Sequence, residues 1–300
     1  MGDYTVRRRD VLRSIGGAGV GCAATVADDD RSEDATHSGD DPGGFPPEKH
    51  TSWGEAASLG EGELRTFATE APSGVPLFLG VYLTEGALDG LPSAPSDGKW
   101  DAGGTPCCGH ERTLALPDGA PAAFEWAMVN WNPQGHPPFD AYGAPHFDFH
   151  FYTMAREKRF EIESGTCERA RGPVTCETLR RGLEPLPDDQ HPPGYSLVDA
   201  VEPGMGNHLL DLDAPEFTGG EFDHTWIWGA FDGELTFFEP MITREFLLSH
   251  AGTASDPVAM PAALPDAGWY PTEYAIRRLD SRSGYAVTLE SFERFSASSG

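Results

Sequence analysis

Lysine is almost missing from this 300-residue chain: Lys49, Lys99 and Lys158 are the only three, so arginine supplies nearly all the positive charge. Twenty-one basic residues face 48 acidic ones, a formal charge of −27. Nothing resembles the basic stripe that releases counterions from phosphates, so no nucleic-acid partner is expected. A carboxylate-dense, lysine-poor surface instead suits molar salt, where the Debye length falls to about 3 Å and self-repulsion fades. A halophilic source is therefore expected; acids gathered for a cationic partner would be clustered, and these are scattered. The chain also lacks GxGxxG, a P-loop, a GxSxG elbow and internal repeats, which removes the common dinucleotide, nucleotide and serine-hydrolase templates. No stretch reaches the ~20 apolar residues of a membrane helix. What is present, 39% hydrophobic and 11% aromatic residues, is enough for a sizeable core.

The first residues carry an address. RRRDVLR, Arg7 to Arg13, precedes the Gly/Ala-rich run SIGGAGVGCAATVA, a pattern that reads as a twin-arginine export signal with a mildly apolar core. Cleavage after Ala27 removes four arginines and two aspartates and takes the charge from −27 to about −29. Lipidation at Cys22 is the alternative anchor, although Gly19-Val20-Gly21 makes a poor lipobox. The protein is expected to be extracellular or at the cell surface, with no transmembrane segment once the signal is gone. Residues 28–50 are acidic and Gly/Pro-rich and read as a disordered spacer, leaving 51–297 as one β-rich domain.

In an oxidising space the four remaining thiols matter. Cys167 and Cys176 enclose ERARGPVT with its Gly172-Pro173 turn, and a disulfide between them is the natural reading. Cys107 and Cys108 are adjacent, a spacing that rarely bonds, and with His110 they lack the second pair of a standard zinc site; they read as loop cysteines of open connectivity.

Short apolar or alternating runs separated by Gly, Pro and Asp fill the rest: GELRTFATE, VPLFLGVYL, RTLALP, AAFEWAMVNW, HFDFHFYTM, HTWIWGAF, GELTFFEP, TEYAIRRL and GYAVTLESF. Their length and aromatic and β-branched content predict strands, and Asp232-Gly233 between two of them predicts a hairpin. Helix is expected only over 241–250 and, briefly, Glu85 to Leu88. The fold class is thus mainly β, an antiparallel barrel or sandwich with one or two short helices and a long, disulfide-bearing excursion over about 164–204.

The chemistry concentrates in YGAPHFDFHFYTM, residues 142–154. As a strand it puts His146, Asp148 and His150 on one face and Phe147, Phe149 and Phe151 on the other. His136 in WNPQGHPP, His208 in PGMGNHLLD and Glu239 in FFEPMI complete a polar set of the kind that builds transition-metal sites. On a strand His146 and His150 lie roughly 13 Å apart at about 3.3 Å per residue. A single site would then use His146/Asp148 or Asp148/His150 with His208, expected in a Gly-rich turn, and Glu239 at a strand end. The spare histidine and His136 would stand behind the ligands. The ion expected is divalent, zinc first; in an enzyme, its bound water would be the nucleophile. The same residues could equally form a hydrogen-bonded polar stripe without metal. Ser196 and Ser249 lack a nucleophile context, and Trp126, Trp131, Trp226, Trp228 and Trp269 read as core or pocket wall.

GVPLFLGVYLTEGALDGLP, WNPQGHPPFDAYGAPHFDFHFYTM, PGMGNHLLD, FDGELTFFEPMITREFL and WYPTEYAIRRL occur in this order. Over about residues 60–295 the chain thereby resembles a family of exported bacterial and archaeal proteins of unknown function (DUF5602-like), typified by a sigma-E/anti-sigma-E-controlled protein of Thermus thermophilus. The resemblance implies a single barrel-like domain able to form homo-oligomers, and no reaction. Its motifs contain His136, His146, Asp148, His150, His208 and Glu239.

Overall fold

Period-two alternation governs the architecture, because each strand must hide one face and the second sheet hides both. The computed structural model describes residues 44–300. The expected signal peptide (1–27) and residues 28–43 of the expected spacer lie outside the described residues. The last part of that spacer belongs to the domain: the Phe45 ring packs edge-on against Phe67 and Phe78 at 6.0 and 5.0 Å, and Arg282 Nε donates to its carbonyl at 3.0 Å. The Phe45 ring thus holds GFPPEKH against the sheet.

Strands β1 (Thr51–Trp53), β2 (Ala57–Leu59), β3 (Gly62–Glu70) and β4 (Pro76–Thr84) open the domain. Then follow β5 (His110–Ala115), β6 (Trp126–Asn132), β7 (His146–Tyr152), β8 (Tyr195–Leu197), β9 (Asn207–Asp211), β10 (His224–Phe231) and β11 (Glu234–Thr243). The chain closes with β12 (Thr253–Pro257), β13 (Gly268–Leu279) and β14 (Gly284–Phe295). They make two antiparallel seven-stranded sheets: β1-β3-β4-β14-β13-β12 with β2 on β3, and β5-β6-β7-β11-β10-β9-β8. Each sheet ends in edge strands, so of the two expected architectures the sandwich is the one formed and no barrel closes. Between the sheets Leu79, Val81, Val287 and Leu289 meet Phe147, Phe149, Phe151, Trp228 and Phe238 in one core. Fully burying each phenylalanine contributes roughly 1.5–3 kcal/mol.

Helices are few and short: α1 (Phe139–Tyr142), α2 (Cys176–Gly182), α3 (Pro215–Thr218) and α4 (Arg244–Ser249). The helix expected over 241–250 begins later, since Met241 and Ile242 still pair with Asp148 and Phe147 in β11. Thr243 then caps α4, its hydroxyl accepting from Phe246 N at 3.1 Å. The predicted hairpin forms at Asp232-Gly233, whose φ values of 53° and 74° are what a two-residue primed turn requires. Glu85–Leu88 is a 3-10 turn. Among the described residues no helix is long and apolar enough to cross a membrane.

The chain is anchored just ahead of the excursion, and the excursion has a core and a disulfide of its own. Arg159, fully buried, reaches Glu111 on β5 with two hydrogen bonds of 3.0 and 2.6 Å, and its guanidinium lies 5.2 and 5.1 Å from the Trp100 and Trp126 rings. Burial opposes ionisation of Glu111, but the Arg159 hydrogen bonds and charge outweigh it and hold the carboxyl down at about 2. Val174, Leu179 and Val201 form a small core of their own, and Cys167 and Cys176 are bonded (S–S 2.02 Å). Cys107 and Cys108 are also joined to each other (S–S 1.98 Å), so they are not free loop cysteines. His110 turns away from them, its Nε2 2.7 Å from Ala94 O.

Candidate metal centre

Every residue of β7 is buried, because its second face is roofed as well. On one side the roof is Met154, Ile162 and Met205 over Trp126, Met128, Tyr152 and Phe237. On the other it is Tyr142 and Leu210 with Phe217 and Phe222, over Ile227 and Met241. Between these apolar patches sit His146, Asp148 and His150, facing away from the three phenylalanines as alternation requires.

Neighbouring strands supply the rest. In β11, Phe238 pairs with Phe151 and Met241 with Asp148, a register that sets Glu239 beside His150. His208, in β9 and not in a turn, pairs with Gly229 of β10, and Gly229 pairs with Phe237. A Cβ at Gly229 would stand 2.1 Å from the Phe237 ring; the bare glycine lets that ring lie over it, 5.2 Å from the His208 ring. His136 comes from the β6–β7 loop, where Gly135 has φ 64° and an added Cβ would meet Tyr142 O at 2.1 Å.

The result is two His/His/carboxylate groups rather than one: His136, His146 and Asp148, and His150, His208 and Glu239, the ligand-type atoms of each within 4.8 Å of one another. In the first, His146 Nε2 is 3.1 Å from Asp148 Oδ1 and His136 Nε2 is 3.8 Å from Oδ2. In the second, His150 Nε2 is 3.4 Å from Glu239 Oε1 and His208 Nε2 is 3.8 Å from Oε2. The residues expected from sequence to serve one site are thus divided between two groups. His146 and His150 are too far apart to share an ion, and each is met by its own carboxylate and by one more histidine. His136, expected behind the ligands, stands with its Nε2 among the ligand-type atoms of the first group. Glu239 lies within β11, not at its end.

Hydrogen bonding fixes which nitrogen points inward. His136, His146 and His208 place Nδ1 2.9, 2.7 and 2.9 Å from the carbonyls of Pro137, Ala144 and Ala200. A carbonyl only accepts, so Nδ1 carries the proton in each and Nε2 is directed at the carboxylate. His146 Nε2, Asp148 Oδ1, both His150 nitrogens and Glu239 Oε2 are buried without a hydrogen-bond partner. Burial pushes the His150 imidazole down to about 3 and also lowers His208. It raises the Glu239 carboxyl well above the usual range, helped by the charge of Asp148. Burial resists ionisation of Asp148 as well; only a protonated His146, with His136 beside it, brings that carboxyl below its ordinary value, and with both Nε2 atoms bare that opposing charge is missing.

Sequence reasoning missed the asparagines. Asn132 Nδ2 donates to Asp148 Oδ2 at 2.7 Å, while Asn130, opposite Asp148 on β6, donates to the Cys108 carbonyl. Their spacing in VNWN, alternating with Val129 and Trp131, puts them on one face; only the β6–β7 register shows whose face it is. A third group, Cys107, Cys108 and Glu202, also gathers ligand-type atoms. No family model, curated protein or solved structure matches the chain.

Proposed function

We propose that the protein is an exported metalloprotein whose two His/His/carboxylate groups each take a divalent transition ion, zinc first, in the service of a hydrolytic reaction. The observation that carries this reading is the set of buried, partnerless nitrogen and oxygen atoms turned toward one another. Lone pairs facing lone pairs repel, and a cation between them removes both the repulsion and the desolvation cost. Size supports zinc: ligand atoms about 2.0–2.1 Å from a tetrahedral ion stand about 3.4 Å apart, and the four nitrogen–oxygen separations run from 3.1 to 3.8 Å. Three protein ligands leave a fourth position, as catalytic zinc sites require. His136 and His208 are the partly exposed members, so a substrate would have to approach past them.

A bound ion would lower the pKa of a water toward about 7 and polarise a carbonyl or phosphoryl oxygen. The residues hold, orient and exclude: Asn132 fixes Asp148, the Ala144 and Ala200 carbonyls fix two imidazoles, and the apolar roof keeps bulk water out. The reading of RRRDVLR as a twin-arginine leader supports export; that route carries chains already folded and by itself argues for no cofactor.

Elemental analysis of the full chain folded at high salt tests this. Two ions per chain are expected, with His208→Ala and His136→Ala each losing one and keeping the other. Absence of stoichiometric metal, with melting unchanged by a chelator, sinks the proposal. One observation favours the competing reading of a non-catalytic envelope protein or homo-oligomer: with its carboxyl pushed up, Glu239 can hold a proton where the ion would sit.

A further inference from the structure

We propose that Cys107–Cys108 is a redox-active pair, reducible by a small or protein dithiol, with Glu202 as the group that carries the proton to and from Cys107. The two disulfides of the domain are built differently. Cys167–Cys176 spans nine positions and closes a loop within the excursion that ends at the start of α2. Cys107–Cys108 joins neighbours in sequence, so it closes almost no loop and contributes almost nothing by restraining the unfolded chain. A structural staple is not what this bond supplies.

Its surroundings are those of a reacting group. Glu202 Oε2 lies 3.1 Å from Cys107 Sγ and 3.9 Å from Cys108 Sγ. A disulfide sulfur has no hydrogen to give, so in the oxidised state any proton on the shorter contact belongs to Glu202. After reduction the Cys107 thiol can give the hydrogen and the carboxylate accept it. One contact therefore serves both redox states, with the proton on opposite sides. Burial holds the Glu202 carboxyl up at about 7, where it exchanges a proton readily.

The loop is pinned, which keeps the sulfurs in place. Cys107 N donates to Asp101 Oδ1 at 3.1 Å, and the Cys108 carbonyl accepts from Asn130. Cys108 and Gly109 both lie in the left-handed region, φ 68° and 60°, and a Cβ at Gly109 would stand 2.4 Å from Trp131 O. Cys107 is buried and Cys108 is partly open, so an attacking thiolate reaches Cys108 Sγ. Its attack forms a mixed disulfide and breaks the Sγ–Sγ bond; the electron pair passes to Cys107 Sγ, which takes the Glu202 proton. The reductant's second thiolate then displaces Cys108, which takes a proton from solvent. Two electrons enter the cysteine pair, and the reductant leaves as its own disulfide.

The test uses the full chain and dithiothreitol, with alkylation and mass spectrometry reading each cysteine pair between pH 6 and 9. The expected result is reduction of Cys107–Cys108 while Cys167–Cys176 stays closed. After correction for the reductant's own thiolate fraction, the rate should break near pH 7. Glu202→Gln should slow the reaction roughly tenfold or more below that pH and abolish the break, and Glu202→Asp should restore part of it. The proposal is overturned if Cys107–Cys108 resists reduction when Cys167–Cys176 opens, or if Glu202→Gln reacts with the wild-type rate and profile. Should the Gln variant not fold, the wild-type profile decides, and a flat corrected rate through pH 7 counts against the proposal.

Discussion

Two residues of the candidate centre are held in opposition by the same burial. His150 keeps its imidazole neutral to about pH 3 in the folded chain, against about 6.5 when unfolded. Between those values the unfolded state binds the extra proton, so this stabilisation is complete above 6.5 and is lost as pH falls. Glu239 works the other way: its folded carboxyl is raised above 4.5, so its contribution is complete below 4.5 and is lost as pH rises. The chelated protein is therefore expected to be most stable in a window of about pH 5–6, with a melting temperature that falls on either side. With ions bound, the alkaline side should flatten, because the ion takes the place of the Glu239 proton. Thermal scans across pH with and without chelator check this, and superimposable curves would count against bound metal.

At the scale of elements, the 3-10 turn Arg156–Glu161 that leads into the excursion is fastened to the sheet by a buried ion pair, Arg159 with Glu111. Arg159→Ala should cost less than the about 3–5 kcal/mol of a fully stranded buried charge, because Lys99 still pairs with Glu111 and Trp100 Nε1 still donates to it at 3.0 Å. The loss should appear as early hydrogen exchange over the excursion while β13 and β14 stay protected. This fastening was not legible in the sequence, because Arg159 and Glu111 are 48 positions apart and each alone looks like an ordinary surface charge. HFDFHFY, by contrast, announced its own strand and its two faces, and DG announced the hairpin. What alternation could not convey was register: that His150 meets Glu239, that His208 reaches over a glycine, and that Asn132 lies beside His146. The helix boundary at 241 failed for the same reason, since FFEPMIT has the composition of either state and pairing with β7 decides it.

For the whole molecule, charge is the dominant variable. A chain of −27 with three lysines resists its own repulsion only where salt screens it. Raising sodium or potassium chloride from about 0.1 M to molar levels, where the Debye length shrinks to about 3 Å, should raise the melting temperature steadily. A curve that is flat, or falls, would remove the expectation of a halophilic origin. The same scan with sulfate would separate screening from salting-out, because the latter strengthens burial in a neutral protein as well.

The order of strands has one more consequence. The second sheet is made wholly from residues 110–243, whereas the first takes strands from both ends of the domain and pairs β4 with β14. The candidate centre can thus take shape as its own stretch of chain is completed, but β4, paired on one side with β3, must wait for the distant β14 before its other edge is covered. Such distant pairing is slow and leaves an open edge exposed meanwhile. Assembly of this protein is for that reason an act that follows synthesis. Under the proposed export, a route on which the chain is finished before it leaves suits that order of pairing.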